Sequence, residues 1–113
     1  MPHLVMEYSQ DLESSHNIPT VLNAVHNAAK DCGYFTASAI KSRAHPFPYY
    51  RVGDLDNGQF IHLTVSLLKG RTSREKYQLS QLLCRTLTES VEFTGSVSVD
   101  VQDVDEEVYS KRL

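Results

Sequence analysis

The spacing of the apolar residues changes in the same order twice along this chain: it alternates, then becomes helical, then alternates again. This repeat constrains the fold more than any other feature. Residues 2–45 and residues 60–104 each begin and end with alternating apolar positions and have a helical spacing in between. The two halves share almost no sequence identity, so the repeat is one of pattern alone. Each half therefore predicts two parallel strands joined by a right-handed helical crossover.

Two such β-α-β units predict an α+β fold, in which one four-stranded sheet carries both helices on one face. With 113 residues the chain has the usual length of a single domain, here residues 1–113. The other face of the sheet would be left open, and a chain this short covers its apolar surface poorly. We therefore expect an oligomer, and a trimer that packs three sheets around an axis would bury the open faces.

The first half has clear helix boundaries. Its predicted elements are a strand over residues 3–8, a polar loop over 9–17, a helix over 19–32 and a strand over 35–45. Asn17 suits the start of the helix and Gly33 suits its end. The helix face expected to be buried consists of Ile18, Val21, Leu22, Val25, Ala28, Ala29 and Cys32.

The second half contains the strongest strand pattern in the chain. After an irregular excursion over residues 46–58, apolar side chains alternate with polar ones over residues 61–67. Thr72 and Glu75 form a capping box that opens the second helix. Its apolar face would consist of Leu79, Leu82, Leu83, Leu87 and Val91. A last strand is predicted over residues 96–104, and the charged tail after Asp105 is expected to be loosely held.

Composition and charge exclude several classes of protein. A net charge of −3 gives no electrostatic footprint for nucleic acid or an anionic membrane surface. The chain has neither an apolar run long enough for a membrane span nor the features of a signal peptide. Cys32 and Cys84 are too few for a disulfide framework and are interpreted as reduced thiols on buried helix faces, which favours the cytoplasm.

Pro2 is the most informative residue for chemistry. Removal of Met1 would expose its secondary amine at the head of the first strand. An α-amino group has an ordinary pKa of about 7.7–8.0, and burial and neighbouring cations both lower such a pKa. A neutral amine held rigidly by a pyrrolidine ring is then a base matched to neutral pH. Proline is also tolerated as the first residue of a strand for structural reasons alone.

Cations are placed where they could serve such a base. Lys41 and Arg43 are two residues apart on a predicted strand and so share a face, although a solvated strand edge would show the same pattern. Arg71 precedes a helix N-terminus, a position that favours anions. An arginine can bind a carboxylate through two parallel hydrogen bonds. These residues together indicate a carbon acid that bears a carboxylate.

Other chemistries find less support. No two of the five histidines have the spacing of a metal-ligand set, so no metal site is predicted. The two cysteines are expected on buried helix faces, which argues against a nucleophilic role. Segment 69–72 lacks the upstream glycine of a phosphate-binding loop. Tyr49 and Tyr50 in the irregular excursion are interpreted as packing residues, with lining of the pocket as the alternative.

Four segments together resemble the 5-carboxymethyl-2-hydroxymuconate isomerase family. They are residues 1–7 (MPHLVME), 40–45 (IKSRAH), 60–64 (FIHLT) and 70–72 (GRT), and the similarity extends in the same order over nearly the whole chain. That family belongs to the tautomerase superfamily with macrophage migration inhibitory factor and 4-oxalocrotonate tautomerase. The resemblance implies a homotrimer with sites near subunit boundaries, no cofactor, and a role in breaking down aromatic compounds.

The resemblance also assigns roles to four residues. Pro2 would be the catalytic base and then the acid, Arg71 would bind a substrate carboxylate, and Arg43 matches a further basic position. Lys41 stands where the family tends to have arginine, which keeps the charge but loses the fork geometry. The implied reaction moves a proton between carbons of 5-carboxymethyl-2-hydroxymuconate or a similar dicarboxylate. Hydration or dehalogenation at the same amine, and a ligand-binding module without chemistry, are the alternatives.

Overall fold

The computed structural model describes residues 1–112 and contains one mixed sheet and two helices. The strands are β1 (His3–Ser9), β2 (Lys41–Phe47), β3 (Gln59–Leu68) and β4 (Gly95–Val104). The helices are α1 (Ile18–Asp31) and α2 (Ser73–Ser90), with short 3₁₀ turns at Gln10–Ser14, Ala37–Ala39 and Glu106–Val108. In the chain, α1 lies between β1 and β2, and α2 lies between β3 and β4.

The strand order in the sheet is β2-β1-β3-β4. β1 pairs in parallel with β2, and β3 pairs in parallel with β4. The two central strands, β1 and β3, are antiparallel to each other. This arrangement confirms the prediction of two β-α-β units in one four-stranded sheet.

The core lies between the sheet and the two helices. The alternation predicted for the third strand is confirmed, because Ile61, Leu63, Val65 and Leu67 are all buried. β1 contributes the buried residues Leu4, Met6 and Tyr8 to the same face. The helices contribute Ile18, Val21, Val25, Ala29, Leu79, Leu83 and Leu87. Five other residues of the predicted helix faces are only partly buried: Leu22, Ala28, Cys32, Leu82 and Val91.

Both helices begin at the predicted caps. The Asn17 side chain accepts a hydrogen bond from the Thr20 amide at 3.2 Å. Thr72 and Glu75 form the complete capping box, in which each side chain accepts a bond from the other residue's amide, at 3.1 and 2.9 Å. These bonds satisfy amides that have no partner within the helix.

The second strand differs from its prediction over residues 35–45. The segment before Lys41 instead forms an irregular stretch with a 3₁₀ turn, Ala37–Ala39, and the strand continues to Phe47. Small residues fill this turn, so it offers little apolar surface for a sheet to bury. β2 can include Pro46 because it is an edge strand. On the solvent side of such a strand, the N–H that proline lacks would not bond to another strand.

Three further predictions need correction. The loop predicted over residues 9–17 contains a 3₁₀ turn with a buried Leu12. Cys32 and Cys84 are half-buried free thiols rather than fully buried ones. The tail after Asp105 forms the turn Glu106–Val108 and makes side-chain contacts with the sheet.

The face of the sheet without helices is mostly polar. The strand register places three histidines on it, His3, His45 and His62, beside Glu7 and Arg43. This composition suits contact with water or with polar groups of another copy better than a dry core. In the described part of the chain, no helix is long and apolar enough to cross a membrane.

Loss of core volume should destabilise this fold more than loss of a surface side chain of the same size. Leu63 is fully buried on a central strand, whereas Leu55 is 47% exposed. We expect Leu63→Ala to lower the free energy of unfolding by about 2–5 kcal/mol, and Leu55→Ala by about 0.5 kcal/mol or less. Urea titration checks both values, and equal losses would contradict this placement of the core.

Candidate active site

A cavity of about 390 Å³ lies at the end of the sheet where β1 begins and β3 ends. Its walls are Met1, parts of segment 34–39, and residues 67–71. The N-terminal residue and Arg71 therefore line one cavity, although 70 positions separate them in the chain. Gly70 makes this possible, since its φ of +128° is a backbone conformation that favours glycine between the strand and Arg71.

Pro2 is held firmly beneath Met1. Its ring is fully buried, and its carbonyl accepts a hydrogen bond from the Lys41 amide at 3.1 Å. The next residue, His3, already pairs with both β2 and β3. The head of β1 is thus fixed by the sheet on both sides. In the unprocessed chain the Pro2 nitrogen is part of a peptide bond, which is not basic.

The surroundings of the N-terminus disfavour positive charge. Burial, followed by the charges of Lys41 and Lys111, lowers the pKa of the Met1 amino group below its ordinary value. A hydrogen bond with the Lys41 side chain acts in the same direction. The Met1 amino group is therefore more readily neutral than a free one.

Two aromatic residues, Tyr34 and Phe35, hold Arg71 in place. The sequence predicted Phe35 as the start of a strand and gave no role to Tyr34. Its guanidinium donates a hydrogen bond to the Tyr34 carbonyl oxygen. The guanidinium carbon lies 4.9 Å from the centre of the Tyr34 ring and 5.6 Å from that of Phe35. Contacts of a guanidinium with ring faces are attractive and orient its plane. The bond to Tyr34 uses only part of the five-donor set of an arginine, so further donors are available to a ligand.

The helix that follows Arg71 is a weaker anion site than its position suggested. Thr72 and Glu75 satisfy each other's amides in the capping box, so these two donors are already occupied. Glu75 also places a carboxylate in the first turn, and its pKa is lowered chiefly by the hydrogen bond from the Thr72 amide. The positive charge at this edge of the cavity is therefore that of side chains, Arg71 and Lys69.

Lys41 and Arg43 share a face of β2, as predicted, but they have different neighbours. Lys41 lies beside the N-terminal amine, whereas Arg43 contacts the Nδ1 atom of His3 at 3.1 Å. Within residues 1–112, neither Lys41 nor Arg43 is part of the cavity wall. The structure thus groups Met1–Pro2, Lys41 and Arg71 at one end of the sheet and links Arg43 to them through His3.

The neutral form of His3 has a defined tautomer. An arginine can only donate, so Nδ1 of His3 accepts from Arg43. A neutral His3 then carries its proton on Nε2, which lies 3.2 Å from the Tyr109 hydroxyl oxygen. Burial, then the charges of Arg43 and Lys41, lower the pKa of His3.

Three of the other four histidines have hydrogen-bonding partners, and the ring of His45 packs edge to face with that of Phe47, 5.1 Å between centres. His26 contacts Ser42 and His62 contacts Ser98, each at 2.6 Å, and His16 accepts from the Glu92 amide at 3.1 Å. Among the described residues, no group of three or more His, Cys, Asp or Glu side chains could hold a metal ion.

The two tyrosines of the irregular excursion lie at the other end of the sheet. Tyr50 donates to the Asp11 carboxylate at 2.7 Å and its ring packs 5.7 Å from that of Phe60. The packing role predicted for Tyr50 is therefore confirmed. The same prediction for Tyr49 is wrong, because 91% of this residue is exposed.

The model of one protein family, 5-carboxymethyl-2-hydroxymuconate isomerase, matches residues 2–112. The 5-carboxymethyl-2-hydroxymuconate Delta-isomerase of Escherichia coli is 24% identical over 84 residues, which cover 74% of this chain and 67% of that protein. The match includes almost every residue of the chain that the structure describes.

Solved structures show the same fold. A 5-carboxymethyl-2-hydroxymuconate isomerase from Deinococcus radiodurans R1 superposes with a TM-score of 0.84 at 22% identity, covering 98% of this chain and 88% of the other. A fused 4-OT protein solved as a symmetric trimer gives a TM-score of 0.71 at 18% identity, covering 92% and 86%. The predicted fold class, two β-α-β units in a tautomerase-like sheet, is confirmed.

The lowered pKa of His3 gives the folded protein a pH-dependent stability. Below an ordinary histidine pKa of about 6.5, the unfolded chain binds a proton that the folded chain resists. The free energy of unfolding should therefore fall as the pH drops from about 6.5 through the lowered pKa of His3. Urea titrations between pH 7.5 and pH 5 measure this slope. The slope should be smaller in His3→Gln, and an identical slope in both proteins would contradict the assignment.

Proposed function

The chain belongs to the 5-carboxymethyl-2-hydroxymuconate isomerase family, and we propose that it is a tautomerase that needs no cofactor. The substrate would be an unsaturated 2-hydroxy or 2-keto acid with more than one carboxylate, either 5-carboxymethyl-2-hydroxymuconate or a close analogue. The observation that carries this proposal is the shared cavity of the N-terminal residue and Arg71. A base and a carboxylate-binding cation would then meet the same ligand.

The base would be the amine of Pro2 after removal of Met1. Because Met1 lines the cavity, its loss would place the Pro2 nitrogen at the cavity wall. The Met1 amino group, whose pKa is lowered by burial and by the charge of Lys41, belongs to the residue next to Pro2. We infer that burial and the charge of Lys41 would also favour the neutral form of the proline amine, which can accept a proton.

The reaction would be two proton transfers through one dienolate. The Pro2 amine would take a proton from the carbon next to the carbonyl of a 2-keto acid, and the electrons of that C–H bond would pass into the conjugated system. From a 2-hydroxy dienol such as 5-carboxymethyl-2-hydroxymuconate it would take the hydroxyl proton, which also gives a dienolate. The protonated amine would then return the proton to a carbon of the dienolate other than the atom that lost it. The net change is an isomerisation, so no oxidant, metal or second substrate is consumed.

The cations would supply binding and charge stabilisation. Arg71, oriented by Tyr34 and Phe35, would bind a carboxylate with its remaining donors. Lys41 would stabilise negative charge that develops on the substrate oxygen beside the amine. Arg43 would act through its contact with His3 or on a carboxylate that extends beyond the cavity.

We propose a homotrimer as the working form, built by a single domain of residues 1–113. Two observations support this: the polar face of the sheet has no helix over it, and the fused 4-OT protein with the same fold is a symmetric trimer. Free thiols at Cys32 and Cys84 fit a reducing compartment such as the cytoplasm. A role in the breakdown of aromatic compounds follows from the substrate named by the family.

Activity should depend on a free amine at position 2. Protein shown by intact mass to lack Met1 should isomerise the dienol acid, and protein that retains Met1 should be nearly inactive. Pro2→Ala keeps a primary amine at almost the same place, so it should lose part of the rate. A positioned base raises the rate about 10²–10⁴-fold, a difference that an absorbance assay of the dienol acid resolves. Full activity with Met1 in place would refute this mechanism.

Arg71 should matter for binding more than for folding. Loss of a charge-assisted hydrogen bond is worth about 1.5–3 kcal/mol, so Arg71→Ala should lower kcat/KM about ten- to a hundredfold. Arg74, an exposed cation on the first turn of α2, provides the matched control, and Arg74→Ala should leave kcat/KM within about twofold. Equal kinetics in the two variants would show that Arg71 does not bind substrate.

A further inference from the structure

The C-terminal segment, residues 105–112, leaves the sheet at the end that holds the cavity. β4 ends at Val104, opposite Leu68 of β3. The Lys69 amide donates to the Val104 carbonyl at 3.3 Å, and the Lys69 ammonium lies 3.9 Å from the Asp105 carboxylate. The first residues of the segment are therefore tied to Lys69, which itself lines the cavity.

The segment then contacts the first residue of β1. The hydroxyl of Tyr109 lies 3.2 Å from Nε2 of His3, and the two rings meet edge to face with centres 6.4 Å apart. Tyr109 is half-buried, although its neighbours in the sequence are exposed. To reach His3 from β4, the segment passes the end of β3, since β3 lies between those two strands. It thus crosses this end of the sheet from Lys69, which lines the cavity, to His3, which follows Pro2.

The C-terminal segment brings Lys111 close to the N-terminus. Lys111 is two residues beyond Tyr109, so its Cα lies at most about 7 Å from that of Tyr109. Its side chain is exposed, yet its charge is among the causes of the lowered pKa of the Met1 amino group. In register, His3 is paired with Lys41. Lys111 from the C-terminal segment and Lys41 from β2 therefore both lie near the position that the Pro2 amine would occupy.

We propose that the C-terminal segment is part of the active site, with Tyr109 anchoring it on His3 and Lys111 binding a second substrate carboxylate. The proposal rests on the proposed function, because it gives that substrate's further carboxylate a partner. Arg71 lines the cavity, and Lys111 lies near the amino group of Met1, which also lines it, so two carboxylates of one molecule would each meet a cation. An exposed lysine on a flexible stem is a mobile point charge, which suits a carboxylate at the mouth of a cavity.

The first test compares neighbouring cations in protein that mass spectrometry shows to lack Met1. Lys111→Ala should raise KM for the acid with more than one carboxylate about tenfold, with kcat changed far less. It should leave KM for an analogue with one carboxylate unchanged. Arg112→Ala removes an adjacent exposed cation and should change neither value, and Lys111→Arg should restore much of the binding. Tyr109→Phe, which loses only the hydroxyl, should raise KM about two- to tenfold.

Two results would overturn the proposal while leaving the proposed function intact: an active parent enzyme whose KM is unaffected by Lys111→Ala, or an equal loss in Lys111→Ala and Arg112→Ala. Failure of the proposed function has a different signature, namely a parent enzyme that is inactive with a free Pro2 amine.

A second test needs no turnover. The pKa of the Pro2 amine, measured by NMR titration, should rise in Lys111→Ala, because one neighbouring positive charge is removed. The other charged and titratable groups around that amine are Lys41 on β2, His3 on β1, and Lys69 and Arg71 in the loop before α2, and all four stay in place in this variant. An unchanged pKa would place Lys111 away from the amine and overturn the proposal.

Discussion

The hydrogen bond from the Lys41 amide to the Pro2 carbonyl, 3.1 Å long, is the constraint on which the site depends. It extends the pairing of β1 and β2 to the residue before β1, at a point where a chain terminus would ordinarily fray. β1 is also a central strand, held by β3 on its other side, and its alternate side chains Leu4 and Met6 are fully buried. Core burial and ladder bonds together hold Pro2 in one position, which the proton transfer that we propose for it requires.

Four cations lie at this end of the sheet, although the chain as a whole is negatively charged. The protein carries a net charge of −3, yet Lys41, Lys69, Arg71 and Lys111 converge around the cavity and the N-terminus. Lys69 has a carboxylate partner in Asp105, whereas Arg71 contacts a carbonyl and two rings. Cations here both disfavour a protonated amine and attract an anion, so one arrangement would serve the base and the substrate binding that we propose.

The sequence was informative where a feature depends on neighbours along the chain. The alternation over residues 61–67, the Asn17 cap and the Thr72–Glu75 capping box are all local, and all are confirmed. Phe35 was predicted as the first residue of a strand because an apolar residue after a helix also fits a strand, and nothing in the sequence singled out Tyr34. Their partner, Arg71, is more than 30 residues away. The contact of Tyr109 with His3 joins residues 106 positions apart, and no periodicity signals it. Pro2, Lys41 and Arg71 were singled out by residue type and resemblance, whereas their grouping needed the fold.

The proposed reaction requires a neutral, basic nitrogen at position 2. The most direct measurement is an NMR titration of protein labelled with ¹⁵N-proline, in which the Pro2 nitrogen is followed against pH after Met1 has been removed. We predict a single titration with a pKa below the value of about 7.7–8.0 of a free α-amino group. A pKa at or above that range would mean that the amine is protonated at neutral pH, and it would contradict a role for Pro2 as the base.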